Sequence, residues 1–564
     1  MWGYRGMDRR HFLHSGAAAV LGAVAGCQPG ADAAHIAGGF TGIDAARGHA
    51  LRDALASRQP WPAPARTQHT GVLIAGGGVA GLAAARALRL HGVDDFALLE
   101  LEDSAGGNSR GATVGGMACP LGAHYLPVPG EDAPEVQDLL EELGLRQRVA
   151  GRWQYDERHL CHSPQERLYF GGQWQEGLLP VHGVGADTWT QYEKFAALVE
   201  QARTGVRWHL PVQNEVLARV KRALVAITFE AFLDRNGLTD PHLRWYLDYC
   251  CHDDYGAGIA TVSAWAGIHY FASRHGFHAP GAEAVEREGL LTWPEGNAWL
   301  THRLAAPLGE RLRTGRIVLR VASGRHGVEV DALNTATQTV ERWQAEQAVV
   351  ALPVFVAARV VQNPPDFLRQ AAGVLAYAPW LVANLHIDRP LHDRPGPAPS
   401  WDNLLYGTTR DGMGLGYVDA GHQRLQTVSG PTVLTHYRAL GGVGSAAVGA
   451  RVGSAGRSLL LERPWSAWRD QIVAEWASAH PDLADKLTRM DITRYGHAMA
   501  IPRPRLDGKI GFWPANNKHS LLSKQKQYPA RPVLAWERLR FAHSDWAGYS
   551  VFEEAFTAGC AAVG

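Results

Sequence analysis

The stretch "GVLIAGGGVAGLAAARALRLHG", residues 71–92, carries the strongest structural signal in the chain. The apolar residues 71–75 predict a short buried strand, and the alanine- and leucine-rich residues at the end of the stretch predict a helix. Between them, Gly76, Gly78 and Gly81 have the spacing GxGxxG. In that pattern the first glycine allows a tight turn, the second lets the backbone approach a pyrophosphate, and the third lets the helix pack against the strand. The stretch therefore predicts the start of a dinucleotide-binding domain.

The residues around this motif support the same prediction. Val79 and Ala80 open the helix, where unpaired N–H groups and the helix dipole favour phosphate. Residues 96–100, "FALLE", predict a second strand that ends in an acid. Glu100 lies 19 residues after Gly81, where a carboxylate can accept hydrogen bonds from ribose hydroxyls.

Composition sets the broad class of the protein. The chain has 564 residues, of which 46% are hydrophobic and 20% charged, and this favours a globular protein of two or more domains. Lys+Arg and Asp+Glu are both 55, so the balance of charge gives no indication of a nucleic-acid partner. The six cysteines show no spacing typical of a metal site, and we predict none.

Residues 98–112, "LLELEDSAGGNSRGA", give the resemblance to a known family. They resemble the LEARDRVGGR segment of the flavin-containing amine oxidase superfamily, which includes amine oxidases, phytoene-type desaturases and protoporphyrinogen oxidases. Gly106 and Gly107 match the glycine pair of that segment. Asn108 stands where the family usually has arginine, and Arg110 is the candidate replacement. The resemblance implies that these residues contact the cofactor phosphates.

A second segment agrees with the resemblance. Residues 345–361, "AEQAVVALPVFVAARVV", are similar to the family's strand that returns to the dinucleotide domain. The residues before them alternate apolar and polar side chains, as strands of a β-hairpin do. Val321 falls where the family holds the adenine through its backbone.

A third segment lies near the C-terminus. Residues 538–559 resemble the family's closing segment over the ribityl chain and the flavin ring, and Gly548 and Tyr549 match its Gly-Tyr pair. The usual acid is missing, so Ser544 or Asp545 would take its place against the ribityl hydroxyls. Two extra residues follow the Gly-Tyr pair. The three segments together imply FAD as the cofactor.

The resemblance implies an α/β fold, with a Rossmann-like FAD-binding domain interleaved with a mixed-sheet and helical substrate domain. We expect discontinuous domains because the family segments are spread along the chain. The predicted FAD-binding domain comprises residues 69–130, 286–365 and 491–564, and the predicted substrate domain comprises residues 131–285 and 366–490.

The same resemblance implies an oxidoreductase that transfers hydride from an amine, a polyamine among the candidates, to flavin N5. Two alternatives remain open: an FAD-dependent desaturase of an apolar substrate, and a flavin-binding protein without turnover. A cavity with acids and aromatic residues would favour an amine, whereas an apolar tunnel would favour desaturation. The electron acceptor would be O2 or a quinone or other carrier.

The strand that carries a catalytic lysine in many amine oxidases is comparable to residues 379–390 here. It has no lysine, and Val382, Ala383 or Asn384 takes that place. Of these, Asn384 is the polar candidate for a catalytic role. The absence of lysine favours an acceptor other than O2.

Three further candidates for the substrate end come from the resemblance. Tyr549 matches the aromatic residue that stands over the flavin and guides the amine. Residues 120–130, "PLGAHYLPVPG", should pass near the flavin. There His124 and Tyr125 could donate hydrogen bonds or accept a proton.

The N-terminus predicts an export route. Arg9 and Arg10 begin "RRHFL", which resembles the twin-arginine signal, and an uncharged run too short to span a bilayer follows. Cys27 ends a sequence that resembles a lipobox, which makes it a candidate lipid anchor. We therefore predict a signal peptide over residues 1–30, a tether over residues 31–68, and a periplasmic protein.

Overall fold

The computed structural model describes residues 33, 35–57, 61–161, 165–212, 219–274, 276–279, 289–409, 412–424, 428–444, 451–513 and 532–563. The predicted signal peptide and Cys27 lie outside these residues. Within them, no helix is both long and apolar enough to cross a membrane.

Helices and strands are interleaved along the whole described chain. The helices are α1 Ala45–Ser57, α2 Val79–Leu90, α3 Pro134–Glu142, α4 Ala186–Gly205, α5 Arg219–Val225, α6 Phe229–Arg235, α7 Pro241–Tyr255, α8 Ala264–Ala272, α9 Ala298–Ala305, α10 Val354–Val360, α11 Asp366–Val374, α12 Ser454–Glu462, α13 Trp465–Trp476, α14 Leu483–Lys486 and α15 Phe552–Val563. The strands are β1 Ala37–Phe40, β2 Arg66–Ala75, β3 Phe96–Leu99, β4 Gly111–Val114, β5 Met117–Pro120, β6 Tyr125–Pro127, β7 Arg146–Val149, β8 Arg152–Tyr155, β9 Glu166–Phe170, β10 Gln173–Glu176, β11 Leu290–Thr292, β12 Leu312–Arg313, β13 Arg316–Ser323, β14 Val328–Asn334, β15 Thr339–Val350, β16 Tyr377–Ile387, β17 Asp402–Leu405, β18 Met413–Asp419, β19 Thr432–Ala439, β20 Leu487–Ala500, β21 Leu534–Trp536 and β22 Leu539–Phe541.

The first large sheet is the nucleotide-binding sheet. Its strand order is β12-β3-β2-β15-β14-β13, and β22 pairs with β15 beside β14. Strands β12, β3, β2, β15 and β22 are parallel, whereas β14 and β13 are antiparallel. All four residues of β3 are buried, as expected for a parallel strand covered on both faces. This architecture confirms the predicted Rossmann-like α/β fold.

The closing helix α15 packs directly on α2. The two helices approach so closely that a Cβ at Gly559 would lie 2.1 Å from the carbonyl oxygen of Ala80 and 2.8 Å from the Cβ of Ala83. Small residues at both surfaces permit this contact. Helix α15 is thereby fixed beside α2, the helix that follows the glycine-rich turn.

The second large sheet has the order β1-β20-β16-β19-β18-β17-β9-β10 and mixed strand directions. The side chains of β16 alternate between its two faces. Leu381 and Leu385 pack in one core with Trp468 and other residues of α12 and α13. Val382 packs in a different core, with the helices α4 to α8. The sheet therefore separates a structural core from the helical side that faces the nucleotide-binding sheet.

The structure differs from the predicted tether over residues 31–68. Residues 37–40 form β1, which pairs in parallel with β20 at the edge of the second sheet, and α1 contacts β13 of the nucleotide-binding sheet. The predicted boundary at residue 491 also changes, because β20 belongs to the second sheet up to Ala500. Neither feature has a local sequence signal, since both depend on pairing with distant strands.

We predict that Gly559→Ala destabilises the protein. A methyl group there would meet the backbone of α2, and overpacking of this kind typically costs about 1–3 kcal/mol. Gly373→Ala is the matched control, because Gly373 is also helical and its Cβ would meet nothing within 4 Å. Thermal unfolding of both variants would test this, and an unchanged melting temperature for Gly559→Ala would contradict the close packing.

Candidate active site

A cavity of about 470 Å³ lies between the two sheets. One end is formed by loops of the nucleotide-binding sheet, and the other by the second sheet and its helices. The first part of the wall includes residues 76–80, Glu100, Leu101, residues 106–109, 316–318, 351–353 and 543–545. The second part includes residues 122–127, Asp253, Asp254, Arg274, Tyr377, Trp380, Val382, Tyr437, Tyr495, residues 497–499 and 550–553.

The glycine-rich turn has the geometry that a pyrophosphate needs. Gly76 has a φ of +105°, and a Cβ there would lie 2.4 Å from the carbonyl oxygen of Ala351. Gly78 begins α2 without a side-chain cap. A Cβ at Gly78 would meet only the Cα of Gly107, at 3.9 Å, so two glycine backbones border this part of the cavity. The residues present therefore fit a dinucleotide phosphate at the start of α2.

Glu100 lines the same end of the cavity and is buried. Its Oε2 accepts a hydrogen bond from the N–H of Gly77 at 2.8 Å, and its Oε1 accepts one from the N–H of Glu102 at 2.8 Å. Burial raises the pKa of this carboxyl, and the two backbone hydrogen bonds oppose the rise. Glu100 thus ties the glycine turn to the end of β3, and each oxygen keeps a lone pair that could bind ribose.

Asn108 and Arg110 were the two candidates for the position of the family arginine, and only Asn108 lies at the cavity. Gly106, Gly107 and Asn108 line it, and the Asn108 side chain donates to the carbonyl oxygen of Ala498 at 2.6 Å. Arg110 is buried elsewhere and donates to the carbonyl oxygen of Gly42 at 2.7 Å. The predicted phosphate contact of Arg110 is therefore wrong, because that guanidinium is engaged by the N-terminal segment.

Val321 is also misplaced by the sequence prediction. It is fully buried and forms an isolated bridge with Val361, whereas Ile317 and Val318 line the cavity near Glu100. A register shift in β13 between Val318 and Arg320 separates the two positions. The backbone near Val318 is thus the better placed contact for an adenine.

Ser544 and Asp545 line the cavity, as the sequence suggested. Oδ2 of Asp545 accepts hydrogen bonds from the Val354 N–H at 2.9 Å and the Tyr377 hydroxyl at 2.7 Å. Burial by itself would raise the pKa of Asp545. His543 and these two hydrogen bonds outweigh burial, so the pKa is lowered. Gly548 ends this turn with a φ of +86°. The segment is suited to hold a polyhydroxyl chain, with Asp545 fixed in its charged form.

Tyr549 is not a cavity residue in this structure. Its ring lies in the helical core beside Trp265 and His269, and its hydroxyl donates to Oε1 of Glu554 at 2.8 Å. The next residues, Ser550 and Val551, face the cavity instead. The predicted role over the flavin is wrong because the ring packs among the helices and Glu554 holds the hydroxyl, away from the cavity.

Asn384 is likewise structural. It is buried, its amide donates to the carbonyl oxygen of Pro120 at 2.9 Å, and its Oδ1 accepts from the Thr435 hydroxyl at 2.8 Å. Val382, on the same face of β16, lines the cavity. Of the three positions that could correspond to the family lysine, Val382 is the one that lines the cavity, and its side chain cannot carry a proton.

The structure brings His124 and Tyr125 to the cavity as predicted. The His124 ring stacks on Tyr437, with centroids 4.4 Å apart. Burial lowers the pKa of His124 to about 3, so the imidazole is neutral near pH 7 and can serve as a hydrogen-bonding wall but not as a cation. His497 also lines the cavity, and burial lowers its pKa to about 4.

Sequence reasoning missed the charged group at this end of the cavity. Arg274 pairs with Asp254 at 3.1 Å, and Tyr125 donates a hydrogen bond to Asp253. Burial and the neighbouring Asp254 raise the pKa of Asp253 to about 7. Burial also raises the pKa of Glu553 to about 7. The sequence signal was the adjacent acidic pair Asp253-Asp254 near the end of α7, a helix that also carries four aromatic residues.

We predict that Gly78→Val and Glu100→Ala both give protein poor in FAD. Valine would fill the phosphate cradle, and loss of a charged acceptor costs about 1.5–3 kcal/mol, or tens of fold in affinity. Gly430→Val is the control for the glycine, because a Cβ at Gly430 meets nothing within 4 Å. Flavin content of the purified proteins is the measurement. Full occupancy in Gly78→Val would overturn the assignment of this turn.

The comparisons with known proteins agree with this geometry. The family described as flavin containing amine oxidoreductase matches residues 79–564. An L-amino acid dehydrogenase from Synechocystis sp. is 25% identical over 304 residues, which cover 52% of this chain and 58% of that protein. The match thus spans a little over half the length of that relative.

Solved structures show the same fold. A double mutant of putrescine oxidase superposes with a TM-score of 0.62 at 16% identity, covering 88% of this chain and 98% of the other. Cyclohexylamine oxidase from Brevibacterium oxydans gives 0.59 at 15% identity, with 87% and 97% covered. The fold is therefore amine oxidase-like, the cofactor is FAD, and the chain belongs to the family of flavin containing amine oxidoreductases.

Proposed function

We propose that the protein is an exported FAD-dependent oxidoreductase that oxidises an amine. The observation that carries this proposal is the acidic end of the cavity. Asp253, Asp254 and Glu553 line this end, and among the described residues of this part of the wall Arg274, which pairs with Asp254, is the one guanidinium, so three carboxyls share a single fixed cation. A buried excess of negative charge is costly unless a cation compensates it. A substrate ammonium would supply that cation.

The chemistry that FAD supplies when bound is acceptance of a hydride from the substrate. The side chains of this chain would position the amine. Asp253, held by Tyr125, pairs with the ammonium and, with a pKa of about 7, is poised to take its proton. His124 and Tyr437 form a neutral aromatic wall that excludes water.

A polyamine is the narrower candidate substrate. Two carboxyls in one cavity could bind two ammonium groups, and putrescine oxidase is among the proteins of similar fold. The same acids argue against the desaturase alternative, because an apolar substrate would leave them uncompensated. Since residues 379–390 contain no lysine, we propose a quinone or other carrier as the electron acceptor, with O2 as the alternative.

Anaerobic mixing of the purified protein with mono- and diamines would test the activity. We expect amines to bleach the flavin absorbance, and diamines to do so at lower concentration than monoamines of equal length. A flavin that stays oxidised with every amine would support the flavin-binding protein without turnover. Reoxidation of the bleached protein by O2 and by a quinone would then compare the two acceptors.

We predict that Asp253→Asn raises KM for the amine at least about thirtyfold, equivalent to about 2 kcal/mol for a buried charge pair, while the flavin content stays unchanged. In the parent protein KM should fall as pH rises through 7, because Asp253 then loses its proton while the amine stays cationic. This dependence should weaken in the variant, and the part that remains would come from Glu553, whose pKa is also raised to about 7. Asp366→Asn is the control, since that side chain is 81% exposed. An unchanged KM for Asp253→Asn would refute amine recognition by this residue.

Export is proposed from residues 1–30 alone. We predict that replacing both Arg9 and Arg10 by lysine leaves the holoprotein in the cytoplasm, whereas Arg5→Lys does not.

Cys27→Ala should release the exported protein from the membrane fraction if the cysteine is acylated. Immunoblotting of periplasmic, membrane and cytoplasmic fractions gives the answer. Normal export of the double variant would exclude the twin-arginine route.

A further inference from the structure

Residues 41–57, here called the N-terminal strap, run from β1 across the FAD end of the cavity. The strap includes α1, whose residue Leu51 is 7% exposed and forms part of the cavity wall together with Glu100 and Val318. Leu51 also belongs to the hydrophobic core that holds Val318. A side chain from the N-terminal segment thus faces the part of the cavity suited to adenosine.

The strap is tied to the loop that follows Glu100. The Arg47 guanidinium donates to the carbonyl oxygen of Leu101 at 3.0 Å and pairs with Asp103 at 2.8 Å. The N–H of Asp44 donates to Oε1 of Glu102 at 3.3 Å. Glu102 in turn donates its own N–H to Glu100. Contacts of the strap therefore reach the ribose-binding carboxylate through one intervening residue.

Arg110 connects the strap to the second glycine loop. It donates to the carbonyl oxygen of Gly42 at 2.7 Å and to that of Gly107 at 3.3 Å, and it lies 3.6 Å from Glu102. The side chain is buried, so each of these acceptors compensates a charge that has little access to water. Without the strap, Arg110 would lose its shortest hydrogen bond.

The strap lies outside residues 79–564, the part of the chain that matches the family. We propose that it is part of the cofactor site of this protein. Leu51 covers the adenosine end of FAD, and Arg47 and the Gly42 carbonyl hold residues 100–110 in the binding conformation. The strap thereby slows release of the cofactor.

The test uses the purified holoprotein and three variants. Leu51→Ala removes the apolar cover, and Arg47→Ala removes the tie to residues 101–103. Arg52→Ala is the matched control, because Arg52 lies on the same helix, is 60% exposed and, within the part of the chain that the structure describes, pairs with its neighbour Asp53 alone. Two quantities are measured: the rate of FAD release, followed by the rise of flavin fluorescence on dilution, and the melting temperatures of the holo and apo forms.

We expect Leu51→Ala and Arg47→Ala to release FAD about tenfold faster, roughly the factor that one buried leucine or one charged hydrogen bond provides. Arg52→Ala should match the parent. The difference in melting temperature between holo and apo forms should shrink in the first two variants.

FAD release at the parent rate in Arg47→Ala would overturn the proposal. If Leu51→Ala does not fold, the Arg47→Ala variant alone provides the test. Equal loss of melting temperature in holo and apo forms, with release unchanged, would show a purely structural strap. Because FAD release needs no substrate, these outcomes are independent of the proposed amine oxidation.

Discussion

The close approach of backbone at the glycine-rich turn is the constraint on which the rest of the structure depends. Gly76 packs against Ala351 at the end of β15, and Gly77 donates its N–H to Glu100 at the end of β3. The same turn begins α2, and α15 can reach α2 only because Gly559 has no side chain. One short turn therefore joins three strands and two helices. A larger side chain there would disturb both the fold and the phosphate site.

Electrostatics explains why the two ends of the cavity differ. At the nucleotide end, Glu100 and Asp545 accept backbone and hydroxyl hydrogen bonds, so protein donors compensate these buried carboxyls. At the other end, Asp253 and Glu553 have pKa values near 7 because burial and neighbouring acids disfavour their charged forms. Carboxyls that titrate near neutrality in an enclosed cavity are suited to bind a cation and to exchange a proton with it. That difference supports the division into a cofactor end and a substrate end.

The second sheet reaches the cavity through strand alternation. Successive residues of β16 point to opposite faces, so Leu381 stabilises the core with α13 while Val382 reaches the cavity. The N-terminal segment extends this sheet by one parallel strand and then crosses to the nucleotide-binding sheet as the strap. Both sheets are thus linked by a part of the chain that precedes the family match.

The sequence by itself determined the elements whose backbone is constrained locally. The glycine turn and the acid at the end of β3 were predicted because tight turns and phosphate contacts require particular residues at fixed spacing, whereas the Ser544–Asp545 turn was placed by the resemblance to the family. Val321, Arg110, Asn384 and Tyr549 were assigned by motif position. In the structure Val321 lies beyond a register shift of β13, and Arg110 donates to the distant carbonyl oxygen of Gly42. Asn384 is held by Pro120 and Thr435, and Tyr549 packs in the helical core. Asp253 and Arg274, and the strap with Leu51, were decided only by the tertiary structure. Their roles come from contacts between residues far apart in the chain, and the acidic pair of α7 alone could not specify them.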